Sequence, residues 1–207
     1  MKIAIVNYGM GNLSSVRRAF EDIGAEAVIA NHPSALYEVD RVVLPGVGAF
    51  SEGMAHLTRG GWVPALHDVV MLQNKPLLGI CLGMQMLASK GNEGGETSGL
   101  DFIPGEIKKI DLLGCKQRIP HMGWNEVRYK TNDSIFTGIP ESSDFYFVHS
   151  YAFVPNDLEN LIAVVDYGCE LTAVVRSKNI FGCQFHPEKS SKAGRQLLKN
   201  FMGYSVC

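Results

Sequence analysis

The sequence predicts an α/β fold in which an open mixed sheet, mostly parallel, is flanked by helices. Short apolar runs alternate with helical patterns in the first half of the chain. The second half has several strand-like runs with little helix between them, and a helical pattern follows them. The 207 residues are 46% hydrophobic, which is enough for one sizeable core, so we expect a single domain over residues 1–207.

Apart from a helical pattern after residue 81, the first half contains four predicted strands and two predicted helices. Residues 2–7 form an apolar run that ends in a turn at 8–12. A helix follows, with apolar residues at helical spacing up to its end at Gly24. The remaining predicted elements are strands at 28–30, 41–44 and 77–80 and a helix at 64–73.

The second half is predicted to form hairpins or a mixed extension of the sheet. Its strand candidates are 106–110, 125–129, 145–148, 162–166, 172–177 and 180–185. Leu197, Leu198 and Phe201 mark a C-terminal helix, and the glycine-rich residues 91–96 are predicted to be a loop.

Composition excludes several classes of protein. A net charge of -2 argues against a nucleic-acid-binding surface, and the apolar runs are too short to span a membrane. The five cysteines, at positions 81, 115, 169, 183 and 207, are odd in number and include no C-x-x-C pair. We therefore expect neither a disulfide framework nor a zinc site, and a cytoplasmic location.

The strongest chemical signal is a cysteine between two glycines. An apolar strand runs into Gly79-Ile80-Cys81-Leu82-Gly83 and then into a helical pattern, as in a nucleophile elbow with Cys in place of Ser. A helix N-terminus favours the thiolate of Cys81, and the Leu82 N–H would point at the oxyanion formed on attack. The alternative is a small buried cysteine without function.

A thiolate nucleophile needs a base, and His186 is the best of six histidines. It follows an apolar strand, and the carboxyl ends of strands in open α/β sheets are where catalytic residues gather. Glu188 lies two residues on, and in an extended stretch it would point to the same side and orient the imidazole. A strand-end histidine and a solvated glutamate are the alternative.

These segments resemble a known family. Residues 79–85 and 184–188 are similar to the paired signatures of class I, triad-type glutamine amidotransferases, and residues 44–50 resemble that family's oxyanion loop. Within the class, residues 7–12, 119–125, 146–151 and 186–190 resemble the glutaminase subunits of imidazole glycerol phosphate synthase, an enzyme of histidine biosynthesis.

The resemblance implies a flavodoxin-like fold and a glutaminase that needs no metal or organic cofactor. Its triad would be Cys81, His186 and Glu188. An amide at Val47 or Gly48 would complete the oxyanion hole with Leu82. The glutamine pocket would be lined by Gly48, Gln85, His149, Ser150 and Tyr151.

The resemblance also implies a heterodimer. The ammonia would pass to a (β/α)8-barrel synthase subunit that docks over the elbow, and neither nucleic acid nor a membrane would be a partner. The implied contacts with that subunit are Asn12, Trp124, Tyr146 and Lys189. An exposed Trp is a good interface anchor, but a core Trp and a solvated Lys are the alternatives.

Two other functions remain open from the sequence. The same glutaminase could supply ammonia to a related barrel partner that amidates sugars of surface polysaccharides. A cysteine peptidase or deglycase that acts without a partner belongs to another class, and it gives no reason for the stretch from His121 to Asn125.

Overall fold

The computed structural model describes residues 1–205. The strands are β1 Lys2–Val6, β2 Glu26–Ala30, β3 Arg41–Gly46, β4 Leu77–Cys81, β5 Lys90–Gly91, β6 Thr97–Ser98, β7 Gly105–Lys109, β8 His121–Tyr129, β9 Asp144–His149, β10 Tyr151–Pro155, β11 Leu161–Asp166, β12 Glu170–Ser177 and β13 Ile180–Cys183. The helices are α1 Leu13–Glu21, α2 Phe50–Arg59, α3 Trp62–His67, α4 Leu82–Gln85 and α5 Ser191–Gly203. Short 3-10 helices occupy Pro33–Glu38, Ile110–Leu113, Ser134–Phe136, Leu158–Asn160 and Pro187–Lys189, and a π-helical turn occupies Asp68–Leu72.

Nine strands form one mixed sheet in the order β2-β1-β3-β4-β13-β12-β11-β8-β9. The pairings from β2 to β13 are parallel, and those from β13 to β9 are antiparallel. A smaller sheet follows the order β10-β7-β5-β6. The predicted α/β fold is therefore confirmed, and its two halves differ in the way that the sequence pattern indicates.

Helices cover both faces of the large sheet. On one face Ile3 and Ile5 of β1 belong to a core that includes the apolar residues of α1 and α5. On the other face Ala4 and Val6 pack into a core with α2 and α3. Alternate residues of a strand point to opposite faces, so a continuous apolar strand is what a sheet buried on both sides requires.

The helix after the elbow is shorter than the sequence pattern suggests. It ends at Gln85, because the chain then forms backbone hydrogen bonds with a later segment. The N–H groups of residues 100, 101 and 102 donate to the carbonyls of Met86, Ala88 and Leu87 at 2.9, 3.1 and 2.9 Å. These carbonyl oxygens would accept helical hydrogen bonds in a longer α4, but here they accept from a distant segment of the chain.

Several other boundaries differ from the prediction. The helix predicted at 64–73 begins at Trp62 and changes to the π-helical turn, and the strand predicted at 180–185 ends at Cys183. Strand β10 was not predicted; it pairs with β7 in antiparallel register. Among the described residues, none of the helices is long and apolar enough to cross a membrane. A single domain over 1–207 stays a prediction.

Candidate active site

Cys81 occupies the sharp turn between β4 and α4. Its backbone has φ 54° and ψ -112°, a conformation that residues with a side chain rarely adopt. A Cβ at Gly83 would overlap the Leu44 carbonyl, and a Cβ at Gly79 would lie 2.8 Å from the Gly83 backbone. The two glycines therefore allow the turn to pack against its neighbours, and the strained residue between them is the cysteine.

His186 and Glu188 form a buried pair beside this turn. The His186 Nδ1 lies 2.8 Å from the Glu188 Oε1, and the two side chains are 4% and 1% exposed. Burial opposes protonation of His186, but its interactions with Cys81 and Glu188 outweigh burial and raise its pKa to about 9. Because His186 Nδ1 is hydrogen-bonded to Glu188, Nε2 is the ring nitrogen that can interact with the Cys81 thiol. An imidazole placed in this way can take the proton of a thiol and keep it.

The carboxylate reaches the imidazole by a turn and not by an extended stretch. The expectation of an extended backbone was wrong, because residues Pro187–Lys189 form a 3-10 helix that curls Glu188 back onto His186. The Ser190 hydroxyl donates to the His186 carbonyl at 2.6 Å and accepts from the Tyr146 N–H at 3.0 Å. Ser190 therefore ties the turn to β9.

A cavity of about 420 Å³ opens beside Cys81. It brings together residues from six separate stretches of the chain, including every residue predicted for the oxyanion hole and the glutamine pocket. The lining residues are Val47, Gly48, Cys81, Leu82, Gln85, Glu93, Pro120, Val148, His149, Ser150, Tyr151 and His186.

The loop after β3 borders this cavity. Gly46 pairs with Cys81 in the parallel register of β3 and β4, and its α-carbon is so close to the elbow that a Cβ would lie 3.1 Å from the Gly83 nitrogen. Gly48 has φ +107°, a conformation that glycine adopts without strain. Residues of this loop and of the elbow thus both line the cavity, and the oxyanion role of their amides stays a prediction.

Gln85 is buried and held by two hydrogen bonds. Its Nε2 donates to the Tyr151 carbonyl and to the Gln184 Oε1, both at 3.0 Å. The Nε2 of Gln184 in turn lies 3.7 Å from the Cys81 sulfur. The sequence reasoning did not select Gln184, although it stands two residues before His186 within a segment that the family resemblance used.

The glycine-rich loop at 91–96 also contributes to the site, which the sequence reasoning missed. The Glu93 carboxylate lines the cavity and accepts the Phe50 N–H at 2.7 Å at the start of α2. Nothing in the composition of that loop distinguishes it from an ordinary surface loop.

Three of the four predicted interface residues form one exposed cluster. Trp124 is 50% exposed and meets Tyr146 edge to face, with ring centroids 6.0 Å apart. The Lys189 Nζ lies 5.7 Å from the centre of the Tyr146 ring. Trp124 is therefore not a core residue. Asn12 accepts the Ser15 N–H at 3.4 Å and caps α1.

The remaining cysteines show no arrangement of this kind. Cys115 and Cys183 are buried, Cys169 is partly buried, and all three are free thiols, as is Cys81. Cys207 lies outside the described residues. Within residues 1–205, no group of three or more His, Cys, Asp or Glu side chains is arranged to hold a metal ion.

Comparison with known proteins connects this geometry to a family. The model of the class-I glutamine amidotransferase family matches residues 4–203. The imidazole glycerol phosphate synthase subunit HisH of Moorella thermoacetica is 47% identical over 199 residues, which cover 96% of this chain and 93% of that protein. The subunit of the same name from Neisseria meningitidis is 42% identical over 99% of this chain and 100% of its own length.

Solved structures agree on the fold. A crystal structure of a glutamine amidotransferase matches with a TM-score of 0.76 at 18% identity, covering 97% of each chain. PurLQS from Thermotoga maritima matches with a TM-score of 0.76 at 19% identity, covering 98% of each chain.

Proposed function

Because this chain belongs to the class I glutamine amidotransferase family, we propose that it is the glutaminase subunit of an imidazole glycerol phosphate synthase. It hydrolyses glutamine to glutamate and ammonia and supplies the ammonia for a step of histidine biosynthesis. Identities of 42–47% over nearly the whole chain to subunits of that synthase support the assignment. The observation that carries the chemistry is the Cys81 elbow beside the buried pair of His186 and Glu188.

The reaction begins with attack of the Cys81 sulfur on the carboxamide carbon of glutamine. The thiol proton passes to His186 Nε2, and the Glu188 carboxylate stabilises the charged imidazole at a distance of 2.8 Å. The oxygen of the tetrahedral intermediate accepts hydrogen bonds from the Leu82 N–H and from an N–H at Val47 or Gly48.

The intermediate collapses when His186 gives its proton to the leaving nitrogen. The carbon–nitrogen bond breaks, ammonia departs, and a glutamyl thioester remains on Cys81. His186 then takes a proton from a water molecule, whose oxygen attacks the thioester carbon. Glutamate leaves and the thiol is restored, so no metal or organic cofactor enters the cycle.

The cavity beside Cys81 is proposed to hold the glutamine. Its volume of about 420 Å³ falls in the range of small-molecule sites. The predicted pocket residues Gly48, Gln85, His149, Ser150 and Tyr151 all contribute to its wall. A cavity of this size fits a compact substrate such as glutamine.

The ammonia acceptor is a synthase subunit, and we propose that it is a (β/α)8 barrel. The exposed cluster of Trp124, Tyr146 and Lys189, together with Asn12, is the proposed docking surface. Two adjoining aromatic side chains at the surface are suited to anchor an interface. Docking would shield the ammonia from water, where it would be protonated and lose its nucleophilicity.

We also propose that the protein works in the cytoplasm. The four cysteines at 81, 115, 169 and 183 are free thiols, and thiols stay reduced in that compartment.

Glutamate release from glutamine tests the function. We expect slow release by the purified chain alone and strong stimulation by a histidine-pathway synthase subunit with its nucleotide ligand. Cys81→Ala should reduce turnover at least about 10³-fold with the fold intact. Cys183→Ala removes the same thiol from the neighbouring strand β13, where the sulfur is buried in the core and lies 3.7 Å from the Gly79 carbonyl oxygen, and this variant should keep activity.

Retained turnover in Cys81→Ala would refute the mechanism. Turnover that is indifferent to the synthase subunit would keep the triad and refute the proposed partner.

A further inference from the structure

His121 is a buried histidine outside the glutamine cavity. It is 0% exposed and stands directly across from His149 in the pairing of β8 with β9. Its ring is stacked between those of Phe147 and Tyr167, with centroid distances of 4.7 and 4.1 Å. The proposed mechanism gives this side chain no role.

His121 belongs to a continuous chain of hydrogen bonds. The Asn125 Nδ2 lies 2.6 Å from His121 Nε2, and His121 Nδ1 lies 2.8 Å from His149 Nε2. The His149 Nδ1 lies 2.8 Å from the Tyr151 carbonyl oxygen. The chain therefore leads from β8 to the wall of the cavity.

The direction of every hydrogen bond follows from the last acceptor. A carbonyl oxygen only accepts, so His149 Nδ1 carries a hydrogen and donates to Tyr151. A neutral His149 then accepts at Nε2 from the His121 Nδ1–H, and His121 Nε2 accepts from the Asn125 amide. Burial lowers the pKa of His121 to about 4 and that of His149 to about 3, so both rings stay neutral near pH 7.

Both ring nitrogens of His149 thus form hydrogen bonds within the protein, one with His121 and one with the Tyr151 carbonyl. The Tyr151 carbonyl that His149 holds also receives the Gln85 amide at 3.0 Å. In the same wall, the Val148 carbonyl lies 3.8 Å from the Cys81 sulfur. A single hydrogen-bond chain therefore holds the segment that lies against both the nucleophile and the pocket residue Gln85.

We propose that His121 is a positioning residue, which fixes the orientation and tautomer of His149 and thereby shapes the glutamine pocket through the Tyr151 carbonyl. This inference rests on the proposed glutaminase function. It assigns a role to a residue that does not touch the substrate, and it makes glutamine binding the step that depends on His121.

Two substitutions at one position separate hydrogen bonding from packing. His121→Phe keeps an aromatic ring between Phe147 and Tyr167 but leaves the His149 Nε2 without its donor. His121→Asn places an amide N–H near the position of the imidazole Nδ1 and restores a donor. Both variants are studied as full chains in complex with the synthase subunit, by glutamine kinetics and thermal unfolding.

We expect His121→Phe to raise the KM for glutamine about tenfold, which corresponds to about 1.4 kcal/mol, with kcat within about threefold of wild type. His121→Asn should return the KM to within about threefold of wild type. An unchanged KM in His121→Phe would overturn the inference, and so would equal losses in both variants that follow their unfolding temperatures.

Asn125→Ala is a milder variant for the case in which His121→Phe does not fold. It removes the donor to His121 Nε2 at a partly buried position, and we expect the KM to rise about threefold. An unchanged KM for glutamine in this variant would contradict the proposed role of the hydrogen-bond chain.

Nitrogen-15 NMR of the histidine rings separates this inference from the proposed function. The His149 Nε2 resonance should shift in His121→Phe and return in His121→Asn, whether or not glutamine is the substrate. A wild-type complex that hydrolyses no glutamine would refute the proposed function. An unmoved His149 resonance would refute the positioning role alone.

Discussion

At the scale of single residues, the site depends on the charge of the buried His186 side chain. His186 is 3% exposed, and its neighbours Cys81 and Glu188 can both carry negative charge. Helix α4 is one turn long, so few peptide dipoles add up at Cys81. The imidazolium of His186 is therefore the main positive charge available to the sulfur.

The raised pKa of His186 predicts how stability changes with pH. The pKa rises from 6.5 to about 9 on folding, so the folded chain holds this proton more tightly than the unfolded chain does. The resulting stabilisation is fully present below the unfolded value and is lost as the pH rises through the folded value.

We predict that the difference in unfolding free energy between wild type and His186→Gln narrows from about pH 6.5 to above pH 9. Urea unfolding of both proteins across this range measures it. A difference that does not depend on pH would contradict the assigned interactions.

At the scale of elements, the elbow depends on how closely α4 approaches β3. A Cβ at Gly83 would collide with the Leu44 carbonyl, which is held in the β3–β4 pairing. Backbone atoms of a central strand cannot move aside as a flexible side chain does. The glycine after the nucleophile is therefore required by a contact between two elements.

We predict that Gly83→Ala lowers the free energy of unfolding by about 1–3 kcal/mol and reduces glutaminase activity together with it. Gly203→Ala at the end of α5 is the matched control, because a Cβ there meets no atom within 4 Å of the described structure. Its unfolding free energy should stay within about 0.5 kcal/mol of wild type. Denaturant unfolding compares the three proteins, and equal values for them would disprove the close approach.

At the scale of the whole molecule, the antiparallel extension links the site to an exposed surface. Strands β8 and β9 place His121 and His149 on the inner face and Trp124 and Tyr146 on the outer face. Successive side chains of a strand point to opposite sides, so the same two strands serve both faces. The proposed docking surface and the glutamine pocket are thus two sides of one hairpin.

We predict that Trp124→Ala weakens binding of the synthase subunit by about thirtyfold, the loss expected for an aromatic anchor worth about 2 kcal/mol. Leu72→Ala is the control, since Leu72 is also a large exposed apolar side chain, 67% exposed, on the turn after α3. Calorimetric titration of both variants measures the affinities. Equal affinities of Trp124→Ala and Leu72→Ala for the synthase subunit would show that Trp124 is not part of the interface.

The sequence by itself determined the features that local patterns encode. The alternation of strand and helix, the glycines around Cys81 and the strand that leads to His186 all lie within short segments, where periodicity and backbone freedom report on structure directly. The α/β fold and the candidate nucleophile with its base could be predicted for that reason.

Only the tertiary structure decided what depends on distant contacts. The length of α4 is set by hydrogen bonds to residues 100–102, and the turn that brings Glu188 to His186 is held by a hydroxyl bonded to β9. The pairing that sets His121 against His149 joins residues 28 positions apart. A single sequence carries no local signal for such a pairing, because its free energy is realised only when the sheet assembles.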